Sequence, residues 1–335
     1  MSFSDEFNQL YGQSILVTGA TGFVGSRLLA SQDPLTHHIQ FRAAIRRPLE
    51  KPFPNVEQLL ISDIAEKTDW TNALLGVDTV VHLAARVHVM DDKVSNPLEE
   101  YRKANVITTL NLARQAASAG VKRFIFLSSI KVNGEKTDIG KPFTEESFTN
   151  PVDPYGISKL EAEEGIREIC NATGMQYVFI RPPLIYGPGV KANYQKLINL
   201  VHRRLPLPLG GIVNMRSMLA LDNLINFILL AASHPKASNQ LFLLSDKKAL
   251  STPQLIDRMS RCMGYASNRL LSVPVQILRL VGFCLGQSAA IERLTESLEV
   301  SAHKAHQLLA WNPPLDVEQA IKITVDDFLS SRKVP

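Results

Sequence analysis

Through the first half of the chain, short apolar runs alternate with stretches of helical spacing. Residues 14–18, Ser-Ile-Leu-Val-Thr, read as a buried strand, and the signature returns at 38–45, 56–61, 79–83, 124–127 and 176–180. Between these runs, 26–30, 68–75, 97–120 and 154–173 read as helices. Leu98, Tyr101, Ala104, Leu112 and Ala116 mark the third of them and Gly120 its stop. Strands alternating with helices imply parallel βαβ units, so the expected fold is α/β with a doubly wound parallel sheet. The alternation breaks at Arg181-Pro182-Pro183-Leu184-Ile185-Tyr186-Gly187-Pro188-Gly189, whose prolines and glycines mark a domain change. The expected division is 1–180 as one lobe and 181–335 as a smaller one, with 216–244 returning to the first. In the second lobe 193–204, 252–263 and 301–309 read as helices, 205–211 as a Pro/Gly loop and 241–244 as one more strand, while 215–230 leads into a helix.

The first strand runs into Thr18-Gly19-Ala20-Thr21-Gly22-Phe23-Val24-Gly25 and then into helix. Strand, glycine turn and helix form a phosphate site. One glycine serves a tight turn, one lets backbone approach a pyrophosphate, and one lets helix pack closely on strand, while the helix N-terminus offers N–H groups to the anion. The lobe 1–180 is therefore expected to be a Rossmann-type domain, with Gly19, Thr21, Gly22, Phe23 and Val24 against a dinucleotide. In such folds an acid about 20 positions past the turn holds the ribose 2′-hydroxyl, and arginine there accommodates a 2′-phosphate. The one acid in that interval, Asp33, precedes the second strand, which ends in Arg46-Arg47-Pro48. Arg46 and Arg47 favour NADP(H), and NAD(H) stays open.

Composition narrows the classes. With 335 residues, 45% hydrophobic and 20% charged, the chain is an ordinary globular one with a large core. A net charge of +4 gives no reason to expect nucleic acid. Cys170, Cys262 and Cys284 lie far apart with neither metal spacing nor a disulfide framework, so no metal is expected and the cytoplasm suits them. Residues 1–11 carry Asp5 and Glu6 and no apolar core, unlike a signal peptide. The apolar stretch 270–285 is broken by Pro274, Gln276, Arg279 and Gly282, too short to span a bilayer. It reads as an amphipathic helix packed on the body, with a membrane-surface contact as the alternative.

The strand 124–127 ends in Ser128-Ser129, and ligands of such sheets bind off the carboxyl ends of strands. Tyr155 and Lys159, four apart on the next helix, share a face. A hydroxyl, a tyrosine and a lysine beside a nicotinamide make a hydride-transfer site. Tyr155 would exchange a proton with the substrate oxygen, and Ser129 would hold that oxygen. A free phenol titrates near about 10, so Lys159 and an oxidised nicotinamide would have to lower it.

With these residues in place, the sequence resembles the extended short-chain dehydrogenase/reductase family of NAD-dependent epimerase/dehydratase type over nearly its whole length. The glycine turn, Asp63-Ile64, His82-Leu83-Ala84-Ala85, Ser129 ahead of Val132-Asn133-Gly134, Tyr155-Gly156-Ile157-Ser158-Lys159 and Arg181-Pro182-Pro183 carry the resemblance. It implies that Asp63 and Ile64 contact adenine, that Leu83, Ala84 and Ala85 line the cofactor path, and that Pro182 and Pro183 lie near the nicotinamide. The late part is similar to the nucleotide-sugar enzymes, which implies a UDP-sugar substrate met by Ser129, Lys131, Asn193 and Arg216, a nucleotide-sugar-binding second lobe, and a homodimer through the helix from Pro97 and the one carrying Tyr155.

Departures narrow the expected reaction. Sugar-nucleotide dehydratases of the family place Thr-Asp-Glu where this chain has Ser129-Ile130-Lys131, and Ile130 cannot move protons. Arg46-Arg47, and Leu184 where related epimerases carry asparagine, weigh against UDP-galactose 4-epimerase. The nearest resemblance is to bacterial reductases of the 4-keto group of UDP-4-keto-6-deoxy-N-acetylglucosamine, which serve surface polysaccharide such as O-antigen. The alternatives are an NAD-dependent UDP-glucose or UDP-N-acetylglucosamine 4-epimerase and a non-catalytic dinucleotide sensor.

Overall fold

The structure is a computed structural model that describes residues 12–31, 38–61, 64–87, 96–265 and 269–332. Seven parallel strands form its main sheet in the order β3-β2-β1-β4-β5-β6-β9. They are β1 Ser14–Thr18, β2 Gln40–Ile45, β3 Val56–Leu60, β4 Thr79–His82, β5 Arg123–Leu127, β6 Gln176–Arg181 and β9 Gln240–Leu243. Every pairing is parallel, with Leu16 opposite Val80 and Val81 opposite Ile125 at the centre. The order turns back between β1 and β4, which opens a crevice at their carboxyl ends.

Buried on both faces, the strands send alternate side chains to opposite layers. Ile15, Val17, Ile125, Val178 and Ile180 face one layer with α1 (Phe23–Leu29) and α7 (Leu221–Ser233). Leu16, Phe124, Phe126 and Phe179 face the other, with α4 (Thr108–Ser118) and α5 (Pro154–Thr173). Helix α7 is buried almost all round, its polar Asn223 and Ser233 included. A third core gathers α6 (Ala192–His202), α8 (Thr252–Cys262) and α12 (Val317–Ser330) around Tyr186, Ile198, Met259 and Ile321.

Three features depart from the sequence pattern. The helix expected over 68–75 contracts to α2 (Thr71–Leu74), because the Trp70 N–H is taken by the Gln115 side chain at 2.8 Å. The stretch 97–120 begins as α3 (Pro97–Tyr101), widens into a π-helical segment at Arg102–Ile107 and continues as α4. Two three-residue strands, β7 (Leu184–Tyr186) and β8 (Met218–Ala220), pair beyond the Pro182-Pro183 turn and are too short to leave a period. Helices α10 (Ser288–Thr295) and α12 also had no counterpart in the pattern.

Candidate active site

The crevice begins at the glycine turn. Gly19 has φ +67°, and a Cβ there would come within 2.7 Å of the Ala84 nitrogen, so this turn is pressed against the chain leaving β4. A Cβ on Gly25 would run into the Gly19 carbonyl and reach 2.9 Å from the Ala20 Cα, which fixes α1 close against the turn that follows β1. Gly22 differs: its φ is −79°, its N–H donates to the Gly19 carbonyl at 2.9 Å, and it is exposed with Thr21. The two outer glycines answer to the protein's own packing, and the middle one keeps an open cradle for backbone approach by a pyrophosphate. Phe23 is half-buried and Val24 buried.

His82 closes the floor. Its Nδ1 lies 2.7 Å from the Thr18 hydroxyl and its Nε2 2.8 Å from that of Thr109 on α4, while the Ala84 N–H donates to Thr18 at 3.3 Å. Burial, and after it the charge of Lys159, pushes the imidazole pKa down to about 3, so the ring is neutral. Leu83, Ala84 and Ala85 lie half-buried past β4. Asn105, buried in the π-helical segment, accepts from the Arg86 N–H at 2.7 Å and donates to the Arg86 carbonyl at 3.1 Å and to the Ser158 hydroxyl at 3.0 Å. It therefore ties the exit of β4 to α5. Sequence reasoning missed Asn105; the available signal was a buried amide on the apolar face of an otherwise regular helix.

Helix α5 starts where Asp153 caps it, accepting from the Gly156 N–H at 2.7 Å with Pro154 in the first turn. That start puts Tyr155 in the first turn, half-buried, its ring 6.1 Å edge-on from Tyr101. The Ser129 side chain lies near enough to the Tyr155 phenol to lower its pKa. Ser129 also caps the short turn Ile130–Val132, accepting from the Lys131 N–H at 3.2 Å. Lys159 is buried, donating to the Leu127 carbonyl at 2.8 Å, with its ammonium 4.3 Å from the Phe126 ring centroid and 5.9 Å from that of Tyr155. Ser129, Tyr155 and Lys159 thus converge at the end of β5, and the buried Ser128 hydroxyl beside them has no protein partner among the described residues.

The electrostatics revise one expectation. Burial, then Asp153 and Tyr101, push the Tyr155 phenol above its ordinary range, and only Ser129 pulls it down. Lys159 is not among the groups that set this phenol. Its own pKa is pushed down to about 7 by burial, with Glu163 acting the other way. The protein alone holds Tyr155 as neutral phenol, a proton donor. Glu163 in turn pairs with Arg181 in the interior, Nε to Oε1 at 2.9 Å, and Arg181 donates to Asn133 at 3.0 Å. The buried Pro182 accepts from the Ile130 N–H at 3.0 Å, and Pro183 beside it is buried too.

The remaining predicted residues scatter. Arg46 and Arg47 are exposed just past β2, while Ile64 is half-buried and Asp63 lies outside the described residues. Lys131, expected to meet substrate, has its ammonium held by Asp153 and by Glu135, the latter at 2.9 Å; it braces the cap of α5 instead. Asn193 is exposed on α6. Arg216 is half-buried, donates to the Glu296 carbonyl at 3.0 Å, and is bridged by its backbone to Leu250 and Leu298. Its pKa is lowered by burial and by Arg293, with Glu135 and Glu296 opposing. Two guanidiniums near enough to feel each other's charge suit a dianion. Arg293 was not foreseen, since nothing local in the sequence distinguishes it.

A Rossmann-type sheet with a glycine cradle at its switch point and a Ser-Tyr-Lys set at the end of β5 defines a short-chain dehydrogenase/reductase type of enzyme. Residues 15–243 match the NAD dependent epimerase/dehydratase family, and the chain belongs to it. It is 42% identical over 322 residues, covering 95% of this chain and 96% of the relative, to a UDP-glucose 4-epimerase of Vibrio cholerae. It is 27% identical, over 96% of this chain and 97% of the relative, to an N-acetyl-alpha-D-glucosaminyl-diphospho-ditrans,octacis-undecaprenol 4-epimerase of Escherichia coli O157:H7. The fold is shared with the UDP-glucuronic acid 4-epimerase from Bacillus cereus in complex with NAD: TM-score 0.74, 21% identity, 96% of this chain and 100% of that one covered.

Proposed function

We propose that this protein is a nucleotide-sugar 4-epimerase that works on a UDP-hexose or UDP-N-acetylhexosamine. The observation that carries the reading is the convergence of Ser129, Tyr155 and Lys159 at the end of β5, supported by 42% identity over 95% of the chain to a relative named UDP-glucose 4-epimerase. A nicotinamide dinucleotide, when bound, would accept a hydride and return it. Tyr155 moves the proton between its phenol oxygen and O4 of the sugar, and Ser129 hydrogen-bonds O4 while this happens. The protein's own groups do not favour phenolate, so this would have to come from an oxidised nicotinamide when one is bound. Arg216 and Arg293 hold the diphosphate, and Asn193 stands at the rim of the same lobe.

The cofactor assignment moves with the reaction. Arg46 and Arg47 still suit a 2′-phosphate by position, whereas the family description names NAD, and an epimerase returns hydride to the molecule it came from. NAD is the cofactor proposed. Reduction of a 4-keto sugar with NADPH remains the second reading, favoured by the neutral Tyr155 phenol and by exposed Leu184 in place of asparagine. Purified protein incubated with UDP-glucose or UDP-N-acetylglucosamine and no added cofactor should form the C4 epimer. Absence of epimer, together with NADPH oxidation on UDP-4-keto-6-deoxy-N-acetylglucosamine, would replace the first reading by the second.

A further inference from the structure

Away from the crevice, helix α9 (Val275–Cys284) touches the second lobe by one narrow side, where Leu278 and Gly282 are buried, Gly282 against Ile291. Its other face is bare. Ile277, Leu280, Val281 and Cys284, spaced i, i+3, i+4 and i+7, form one exposed apolar stripe. Phe283 is 75% exposed and Leu285 69%. Single exposed apolar residues need no explanation, but a contiguous stripe of this kind marks an interaction surface.

On α9 itself Arg279 is paired with Glu296 at 2.5 Å, and the unpaired charge lies on the segment that leads to the helix. Leu207 bridges Leu270, and the Gly210 N–H donates to the Leu271 carbonyl at 3.0 Å, which brings 203–211 alongside the segment leading to α9. Arg203, Arg204 and Arg269 are exposed there, with no ion-pair partner among the described residues; Arg204 instead lies 4.9 Å over the Tyr265 ring. Neither 169–221 nor 258–291 contains an aspartate or glutamate.

We propose that this face docks on an anionic bilayer, with α9 lying in the plane of the interface. An apolar stripe flanked by unpaired arginines binds such a surface by burying side chains below the headgroups and by attraction to anionic lipid. Ten residues are too few to cross the bilayer, and no helix of the described residues is long and apolar enough to do so. A second copy is the poorer occupant, because a two-fold contact through this face would bring two sets of three unpaired arginines into one interface, with no acid in 258–291 to meet them. The docking does not depend on which sugar the crevice takes.

Co-sedimentation of the full chain with vesicles of phosphatidylcholine and phosphatidylglycerol at 3:1, against phosphatidylcholine alone, tests the proposal. Binding should require the anionic lipid and weaken with salt. The double substitution L280E/F283E should lower it about tenfold or more, and R269E about fivefold, with the thermal midpoint of each checked against the unsubstituted chain. R269E changes a surface arginine outside any core, so it keeps the test open if the double variant folds poorly. Equal recovery with both vesicle types, no binding, or self-association that L280E/F283E abolishes would overturn the proposal.

Discussion

Tyr155 is a donor before it is a base. The groups around it, burial first, keep the phenol protonated, so removal of a sugar hydroxyl proton would need a further positive charge, such as an oxidised nicotinamide would supply. Tyr155→Phe should lower kcat about 10²- to 10⁴-fold while the protein keeps its bound dinucleotide, read by absorbance after release. Near-normal turnover would remove Tyr155 from the proton path. His82 makes a pH prediction. Its imidazole is neutral in the fold to about pH 3 but gains a proton near 6.5 when unfolded, so the unfolded state binds more protons across that window. Stability should therefore fall as pH drops from 6.5, by roughly 1.4 kcal/mol per unit from this residue. His82→Gln should flatten that part of the curve of unfolding midpoint against pH, and an unchanged slope would assign the acid sensitivity elsewhere.

At the scale of elements, the crevice is made by two close contacts: the Gly19 turn against the exit of β4, and α1 against that same turn at Gly25. Gly25→Ala would force α1 off that turn. It should destabilise the chain by about 1–3 kcal/mol by denaturant unfolding, as overpacking does, whereas Gly22→Ala, whose Cβ would meet only the Gly19 carbonyl oxygen at 3.1 Å, should weaken dinucleotide retention more than stability. Asn105 joins two other elements. Asn105→Ala strands the Arg86 backbone groups, and a loss of about 1–3 kcal/mol with weakened cofactor retention is expected. The strand-and-helix alternation was legible because each main strand is long enough to show as an apolar run. The π-helical segment was not, since one extra residue per turn leaves the local spacing of Leu98, Tyr101, Ala104 and Leu112 compatible with an ordinary helix.

At the scale of the whole molecule, chain-distant groups are locked by charge. Arg27 on α1 pairs with Asp222 on α7, Nε to Oδ1 at 2.5 Å, across half-exposed surface. Glu163 and Arg181 pair inside the protein, one turn from Lys159. Glu163→Gln leaves Arg181 buried without its counter-charge and should cost about 3–5 kcal/mol, far more than Asp222→Asn. It should also lower the Lys159 pKa further, since Glu163 is what holds that pKa up.

By itself the sequence determined the α/β class, the glycine turn and the presence of a serine past a strand end and of a tyrosine and a lysine early in the next helix. Each of these is written in local periodicity or in a short motif. Only the tertiary structure decided that Lys131 is held by Asp153 and Glu135, that Arg293 stands beside Arg216, and that the groups around Tyr155 raise its pKa. Those outcomes depend on distance and burial between residues up to 77 positions apart, for Arg216 and Arg293, and no local pattern encodes them. The same holds for α9: its apolar residues are plain in the chain, but only the fold leaves one face of them uncovered.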